Sequence, residues 1–453
     1  MNAARKALNT LFLLAACNAV WIFLLVGGGT LGAAATVLLA AGFLIINVRP
    51  AARTAPTGRI RQLEAGAELL KLFLITATIN TVWMALLLPF AIQDAGSGGL
   101  LSGMFWTVWI ISAVIMVLAE AVLFWNGMIR VYLTSVQLGI RHRVLAALCG
   151  WIPGLNIWYL CKVIRIAARE VEFETQKWEL DQVRAESEVC KTKYPLLLVH
   201  GVFFRDFRYL SYWGRIPRAL LKNGAVIYYG QQQSAASVEE CGAELAERIQ
   251  EIVEETGCEK VNIIAHSKGG LDSRAAISHF GCDRYVASLT TINTPHRGCI
   301  FAEYLLNKAP EGFRRKVSSA YNAALKKLGD REPDFLAAVT DLTETECLRR
   351  NEVTPDMPGV FYQSVMSYCE KAGSGKFPLN VSYPVVKHFD GQNDGLVSVD
   401  SARWGERFTL LEPSGGRGIS HGDVIDLNRE NIQSFDVREF YVQLAAGLKE
   451  RGL

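Results

Sequence analysis

The feature that most constrains this chain is a one-sided distribution of apolar sequence. Half of the 453 residues are hydrophobic, and the long apolar runs fall almost entirely before residue 165. Residues 8–27, 30–48, 72–92 and 105–125 each approach the roughly 20 apolar residues that a helix needs to cross a bilayer. None has Lys or Arg in its interior. They predict an α-helical transmembrane domain of four spans within residues 1–163. A cleaved signal peptide beginning at Arg5 and Lys6 is the competing reading of the first run. That run is long, however, and a second follows at once.

Basic residues orient these spans. The segment after the second span carries Arg49, Arg53, Arg59 and Arg61, and the segment after the fourth carries Arg130, Arg141 and Arg143. The loops at 27–29 and 93–99 carry no positive charge. The positive-inside rule then puts the N-terminus and both basic segments in the cytoplasm of a multi-pass cell-membrane protein. A fifth apolar stretch, 144–163, is interrupted by Gly150, Pro153 and Gly154 and has basic residues on both sides. Symmetric flanks predict a re-entrant hairpin, which keeps the rest of the chain cytoplasmic; a full fifth span would put it outside. Glu120 lies within the fourth span, where a carboxylate needs a partner, and Asn18 and Asn80 are available as interhelical donors.

Residues 164–193 alternate Arg, Lys, Glu and Asp and predict a charged helical linker. From residue 194 the pattern changes. Short continuous apolar runs at 195–199, 225–229, 261–265 and 286–292 suit strands buried on both faces. Helical patterns at 215–222, 238–256 and 271–279 lie between them. The alternation predicts an α/β domain over 194–453 with a mostly parallel sheet and flanking helices. A net charge of +3 gives no case for a nucleic-acid partner. Ten scattered cysteines without a CxxC argue against zinc and against a disulfide framework.

One turn in the α/β part carries chemistry. The run 261–265 leads into His266-Ser267-Lys268-Gly269-Gly270 and then a helix. A serine between a strand and a helix, with Ala265 two residues before it and Gly269 two after, fits a nucleophile elbow. Small residues are needed there because the turn is sharp. The second requirement is a general base following an acid in chain order. Four of the seven histidines follow Ser267: His279, His296, His388 and His421. His279 lies on the helix leaving the elbow, and His296 and His388 come too early, which leaves His421. Asp390, Asp394 and Asp400 can each serve as the acid; Asp394, in the turn Asn393-Asp394-Gly395, is preferred. Oxyanion donors are expected from the backbone N–H groups of Lys268 and Val202, the latter in the His200-Gly201-Val202-Phe203 loop.

The segments YPLLLVHG (194–201), YWGRIP (212–217), CEKVNIIAHSKGG (258–270), TPHRG (294–298) and NDGLV (393–397), followed by the His421 loop, resemble bacterial triacylglycerol lipases and esterases. The resemblance covers about residue 194 to the C-terminus and not the membrane half. It implies an α/β-hydrolase fold, a triad of Ser267, Asp394 and His421, and cleavage of lipid or other apolar acyl esters without a catalytic cofactor. It also implies a lid, here at about 299–348, with a basic group at Arg314, Arg315, Lys316, Lys326 and Lys327. Members of the family often hold a structural calcium near the catalytic histidine, and Asp423 is similar to one such ligand. Acyl transfer to an alcohol or thiol, thioester cleavage, or a non-catalytic membrane scaffold or sensor are the alternatives. Oligomeric state has no signature in the chain.

Overall fold

The structure, a computed structural model, describes residues 3–453 apart from 51–54, 97–101, 203–211, 328–329, 413–415 and 434. Arg53, Phe203 and the 97–99 part of the second uncharged loop lie outside the described residues. The chain divides into two compact units, Met1–Leu180 and Asp181–Leu453.

The first unit is helical: α1 (Ala3–Cys17), α2 (Ala19–Leu25), α3 (Gly29–Val48), α4 (Gly58–Gly96), α5 (Ser102–Thr134), α6 (Gly139–Cys149) and α7 (Leu155–Val183), the last ending just beyond the boundary. Three of them, α3, α4 and α5, are long and apolar enough to cross a membrane. The expected first span at 8–27 is not one straight helix. It consists of α1 and α2, bent by 77° at Asn18, and makes a fourth crossing only if the bent pair counts as one span. Asn18 explains the break. Its side-chain amide donates to the Leu14 carbonyl at 2.9 Å and to Asn80 Oδ1 at 2.8 Å. A side chain that bonds its own helix backbone competes with the helical ladder. Asn80 and Thr76 on α4 in turn donate to the Glu120 carboxylate on α5, at 2.9 and 3.0 Å. The carboxylate in the fourth apolar run is therefore bonded by a neighbouring helix.

The 144–163 stretch comprises the end of α6, a turn, and the start of α7. Arg59 on α4 pairs with Glu170 on α7 at 2.6 Å, and Glu170 also accepts from Ser135 Oγ at 2.7 Å. Leu63, Ala67 and Leu70 of α4 join Val163, Ile164 and Ala167 of α7 in one apolar core. These contacts fix the two helices side by side.

The second unit runs β1 (Leu196–Val199), α8 (Ile216–Lys222), β2 (Ile227–Tyr229), α9 (Val238–Thr256), β3 (Val261–His266), α10 (Lys268–His279) and β4 (Val286–Ile292). Four helices follow: α11 (Ile300–Lys308), α12 (Glu311–Lys327), α13 (Phe335–Thr340) and α14 (Glu344–Val353). The chain closes with β5 (Phe361–Ser367), α15 (Leu379–Asp390), α16 (Val399–Ala402), β6 (Arg407–Leu411) and α17 (Val437–Glu450). The six strands form one sheet in the order β2-β1-β3-β4-β5-β6, every neighbouring pair parallel.

Burial on both faces accounts for the continuous apolar runs. Leu196, Leu198 and Ile264 pack with Ile216, Leu220, Tyr441 and Val442 from α8 and α17. Leu197, Val199, Ile263 and Ala265 point the other way, to Leu245 and Ile249 of α9 and Ala276 and Ile277 of α10. Successive residues of a strand alternate between faces, so both parities must be apolar here. α9 starts where its sequence dictates: Ser237 and Glu240 form a capping box, and Gly257 takes a left-handed conformation at its end.

Candidate active site

The elbow is set by the junction of β3 and α10. Ser267 adopts φ 55° and ψ −132°, a strained conformation for a non-glycine residue. It is held there from two sides. Its N–H donates to the Ile292 carbonyl at 3.0 Å, and its carbonyl accepts from Thr294 Oγ1 at 2.8 Å. A Cβ at Gly269 would collide with the His200 carbonyl, and one at Gly201 would lie 2.8 Å from Ser267 Cβ. Glycine at both positions lets the β1 loop close on the serine. Ser267 is the partly exposed residue of the turn, with His266 and Lys268 buried on either side.

The loops after β4, α15 and β6 supply the rest. His421 Nδ1 donates to Asp394 Oδ2 at 2.7 Å, and the His421 N–H donates to the Asp394 carbonyl at 3.0 Å. Asp394 is fully buried, and its carboxylate accepts four hydrogen bonds. Asn293 Nδ2 reaches Oδ2 at 2.6 Å, and the Leu396 and Val397 N–H groups reach Oδ1 at 2.9 and 2.8 Å. The His421 ring lies 4.5 Å, centroid to centroid, from that of His266, the residue preceding Ser267. Elbow and base therefore converge at the C-terminal ends of the strands, where open α/β sheets bind ligands.

The other two acids considered from the sequence sit elsewhere. Asp390 accepts from the Ile300 and Phe301 N–H groups at 3.0 and 3.1 Å, so it caps α11. Asp400 lies in α16, where its carbonyl accepts from Arg297. His279 bonds to Glu239 on the surface, and His388 falls on α15. His296 is fully buried, bonded to Thr291 and stacked on Trp404.

Sequence reasoning missed three residues that hold this geometry. Asn293, at φ 50°, donates to both Asp394 and Ser367 Oγ, and its own Oδ1 accepts from the Ser367 N–H. A polar residue directly after a buried strand was the available signal. Tyr212 uses its hydroxyl to accept from the Gly201 N–H at 3.0 Å and to contact His266 Nδ1 at 2.6 Å. His266 itself is pushed well below the ordinary histidine range by burial and then by the neighbouring His421.

The Lys268 side chain turns away from the turn. It is 1% exposed and its ammonium lies 2.6 Å from Asp272 Oδ1. Burial opposes that charge, but Asp272 more than restores it, so the amine binds its proton more tightly than usual. That leaves the backbone N–H of Lys268 on the side of the turn that its side chain vacates. It lies in the first turn of α10, where helical N–H groups have no partner within the helix. Val202 follows Gly201 on the opposing loop and is 8% exposed.

Asp423 does not fit a calcium ligand. Its Oδ2 accepts from Ser420 N and Oγ at 2.8 and 2.7 Å, and the Arg417 guanidinium pairs with the same carboxylate at 3.0 Å. A cation already occupies the place a metal would take. Nor does any group of three or more His, Cys, Asp and Glu suit a metal among the described residues. Asp423 instead fixes the His421 loop. All ten cysteines are free.

A parallel sheet with its serine elbow, acid and histidine at the strand ends defines an α/β-hydrolase. Comparison with known proteins narrows the class. Residues 216–327 match the family described as "Putative serine esterase (DUF676)". The triacylglycerol lipase of Vibrio cholerae is 28% identical over 318 residues, covering 64% of this chain and 99% of that protein. That of Burkholderia plantarii is 34% identical over 185 residues, covering 38% of this chain and 51% of that protein. Among solved structures, the mature Bacillus licheniformis lipase BlEst2 aligns at 25% identity with a TM-score of 0.40, over 52% of this chain and 88% of that one. Staphylococcus hyicus lipase aligns at 19% identity with a TM-score of 0.44, over 57% and 96%. The family match and these relatives support a lipase or esterase of the α/β-hydrolase type, and the chain is a carboxylic ester hydrolase.

Proposed function

We propose that this protein is a membrane-anchored lipase or esterase that cleaves acyl esters of lipids by two-step acyl transfer. The observation that carries the reading is the 2.7 Å contact between His421 Nδ1 and buried Asp394. With its proton held at Nδ1, His421 presents Nε2 as the base. Nε2 takes the Ser267 proton as Oγ attacks the ester carbonyl, and the Val202 and Lys268 N–H groups stabilise the oxyanion. Collapse breaks the ester bond, and the alcohol leaves with the proton from His421. Water, deprotonated by the same nitrogen, then attacks the acyl-enzyme, releasing the fatty acid and restoring Ser267.

The anchor is supported by the three long apolar helices and the bent α1–α2 pair. The basic residues at the ends of α3, α4 and α5 favour a cytoplasmic hydrolase unit. Residues 155–164 of α7 are ten residues long, about 15 Å at 1.5 Å per residue, half of a ~30 Å hydrocarbon core. That length suits a hairpin entering and leaving on one side. α11–α14 fall in the stretch read as a lid; Tyr304, Leu305 and Phe313 are exposed there, and Phe313 directly precedes Arg314 and Arg315 on α12.

The test is hydrolysis of a panel from short soluble esters to acylglycerols and phospholipids in vesicles, with wild type and Ser267→Ala, alongside alkaline carbonate extraction of expressing membranes. We expect ester cleavage that Ser267→Ala abolishes and retention in the pellet. Cleavage by Ser267→Ala at the wild-type rate would refute the mechanism, and release into the carbonate supernatant would refute the anchor.

A further inference from the structure

The helical unit contains a cleft that the hydrolase mechanism does not use. It has a volume of about 420 Å³ and lies between α1, α4 and α7. Lys6, Lys71 and Arg165 line it together with the apolar Leu72, Ile75 and Ile164. Glu68 is the one acid at the site, 2.8 Å from Lys71 and 3.7 Å from Lys6. Three cations against one carboxylate leave a surplus of two positive charges, and Arg165 is exposed.

All three helices change character at this level. On α1, no charged residue follows Lys6 until Arg49, after α3. On α4, none follows Lys71 until Asp94. On α7 the order is reversed: mainly apolar sequence precedes Arg165 and charged sequence follows it. Three helices that switch from charged to apolar around one cleft place it at a bilayer's polar boundary. At such a boundary, cations meet lipid head groups and apolar lining residues meet their chains. Basic pockets between membrane helices bind anionic head groups, with each Lys or Arg worth about 1 kcal/mol, or roughly fivefold in affinity.

We propose that this cleft is a binding site for an anionic phospholipid, its phosphodiester held by Lys6, Lys71 and Arg165 and the upper part of an acyl chain lying on Leu72, Ile75 and Ile164. The inference rests on the membrane-anchored reading above. At ~30 Å³ per water-sized group, the cleft takes about fourteen such groups. That is room for a phosphodiester and the first carbons of a chain, with the remainder continuing into the bilayer. Glu68 is the internal counter-ion that keeps Lys6 and Lys71 in place.

Cys161 lines the cleft and is exposed, so its alkylation reports occupancy. Full-length Ser267→Ala protein in nonionic detergent, which cannot turn over an ester probe, is titrated with dioctanoyl-phosphatidylglycerol. The Cys161 maleimide rate is followed by peptide mass mapping. We expect saturable protection, absent with dioctanoyl-phosphatidylcholine and with inorganic phosphate. Lys6→Gln/Arg165→Gln keeps the Lys71–Glu68 pair and should raise the midpoint about 25-fold. Arg314→Gln/Arg315→Gln, in the hydrolase unit, should leave it unchanged. Equal protection by phosphatidylcholine, protection by inorganic phosphate alone, or an unmoved midpoint in the cleft variant would each overturn the site. Carbonate extraction separates these from failure of the anchor: a chain retained in the pellet but indifferent to the head group refutes the site alone.

Discussion

Replacing Asp394 by Asn tests the role of the acid. The carboxylate accepts two hydrogen bonds on each oxygen: Leu396 and Val397 N–H on Oδ1, Asn293 Nδ2 and His421 Nδ1 on Oδ2. An amide has one oxygen and one NH2, so two of the four donors lose their acceptor whichever way it turns. The backbone donors of Leu396 and Val397 cannot rotate and should keep the oxygen. The NH2 then faces His421 Nδ1, which must accept, and the imidazole proton moves to Nε2. That nitrogen is the one required to take the serine proton. Loss of the correct tautomer in a serine triad lowers kcat by about 10⁴, or about 5.5 kcal/mol in activation free energy. Each unsatisfied buried group costs about 1–3 kcal/mol of stability. Initial rates on a short soluble ester, with urea midpoints as a check on folding, measure both. A folded Asp394→Asn protein that keeps a tenth or more of wild-type kcat would refute the reasoning.

Further outcomes follow from the same contacts. His266 and His296 are held well below the ordinary histidine range, chiefly by burial, so both are neutral in the fold while the unfolded chain protonates below about pH 6.5. Their stability contribution is complete above that pH and is lost on acidification, by about 3 kcal/mol between pH 7.5 and 5.5 for the two together. Urea midpoints read by a serine-reactive label should show this fall, and His296→Gln should halve it; a flat profile would contradict the burial of neutral histidine. Asp272→Asn leaves the Lys268 ammonium buried without a counter-charge and should cost about 3–5 kcal/mol, whereas Lys268→Met/Asp272→Leu should be close to neutral and remain active. Equal loss in both variants would show that the pair does more than balance its own desolvation. Neutralising Arg314, Arg315, Lys316, Lys326 and Lys327 should lower activity on anionic vesicles and spare a short soluble ester; equal loss on both substrates would refute membrane docking by the lid.

Much of the fold was legible because burial on both faces leaves a plain mark. The apolar runs at β1 to β4 are visible without any partner. β5 was not, because it is buried with polar residues. Gln363 bonds to Thr290 Oγ1 at 2.8 Å, and Ser364 bonds to the Trp404 carbonyl at 2.6 Å. Such pairing depends on residues distant in sequence, and no local pattern reports it. The bend at Asn18 was hidden for a related reason: hydropathy sees an uninterrupted run and does not register the bonds the Asn18 amide makes to Leu14 and Asn80.

The site divides similarly. Ser267 was legible from its strand, small neighbours and helix, and chain order pointed to His421. The Asn393-Asp394-Gly395 turn favoured Asp394 over Asp390 and Asp400; the structure adds the partners, with Asp394 on His421 and Asp390 capping α11. Asn293 and Tyr212 act through tertiary bonds to Asp394 and Gly201. Asp423 entered as a calcium candidate through the family resemblance alone; the Arg417 guanidinium on its carboxylate has no recognisable motif in the sequence.

The most direct test is covalent labelling of the folded full-length protein by a fluorophosphonate, with the modified residue mapped by peptide mass spectrometry. An activated serine should carry the label at Ser267, and Ser267→Ala should take up none. A folded wild-type protein that stays unlabelled in both detergent and vesicles, or that is labelled at another residue, would contradict a Ser267 nucleophile.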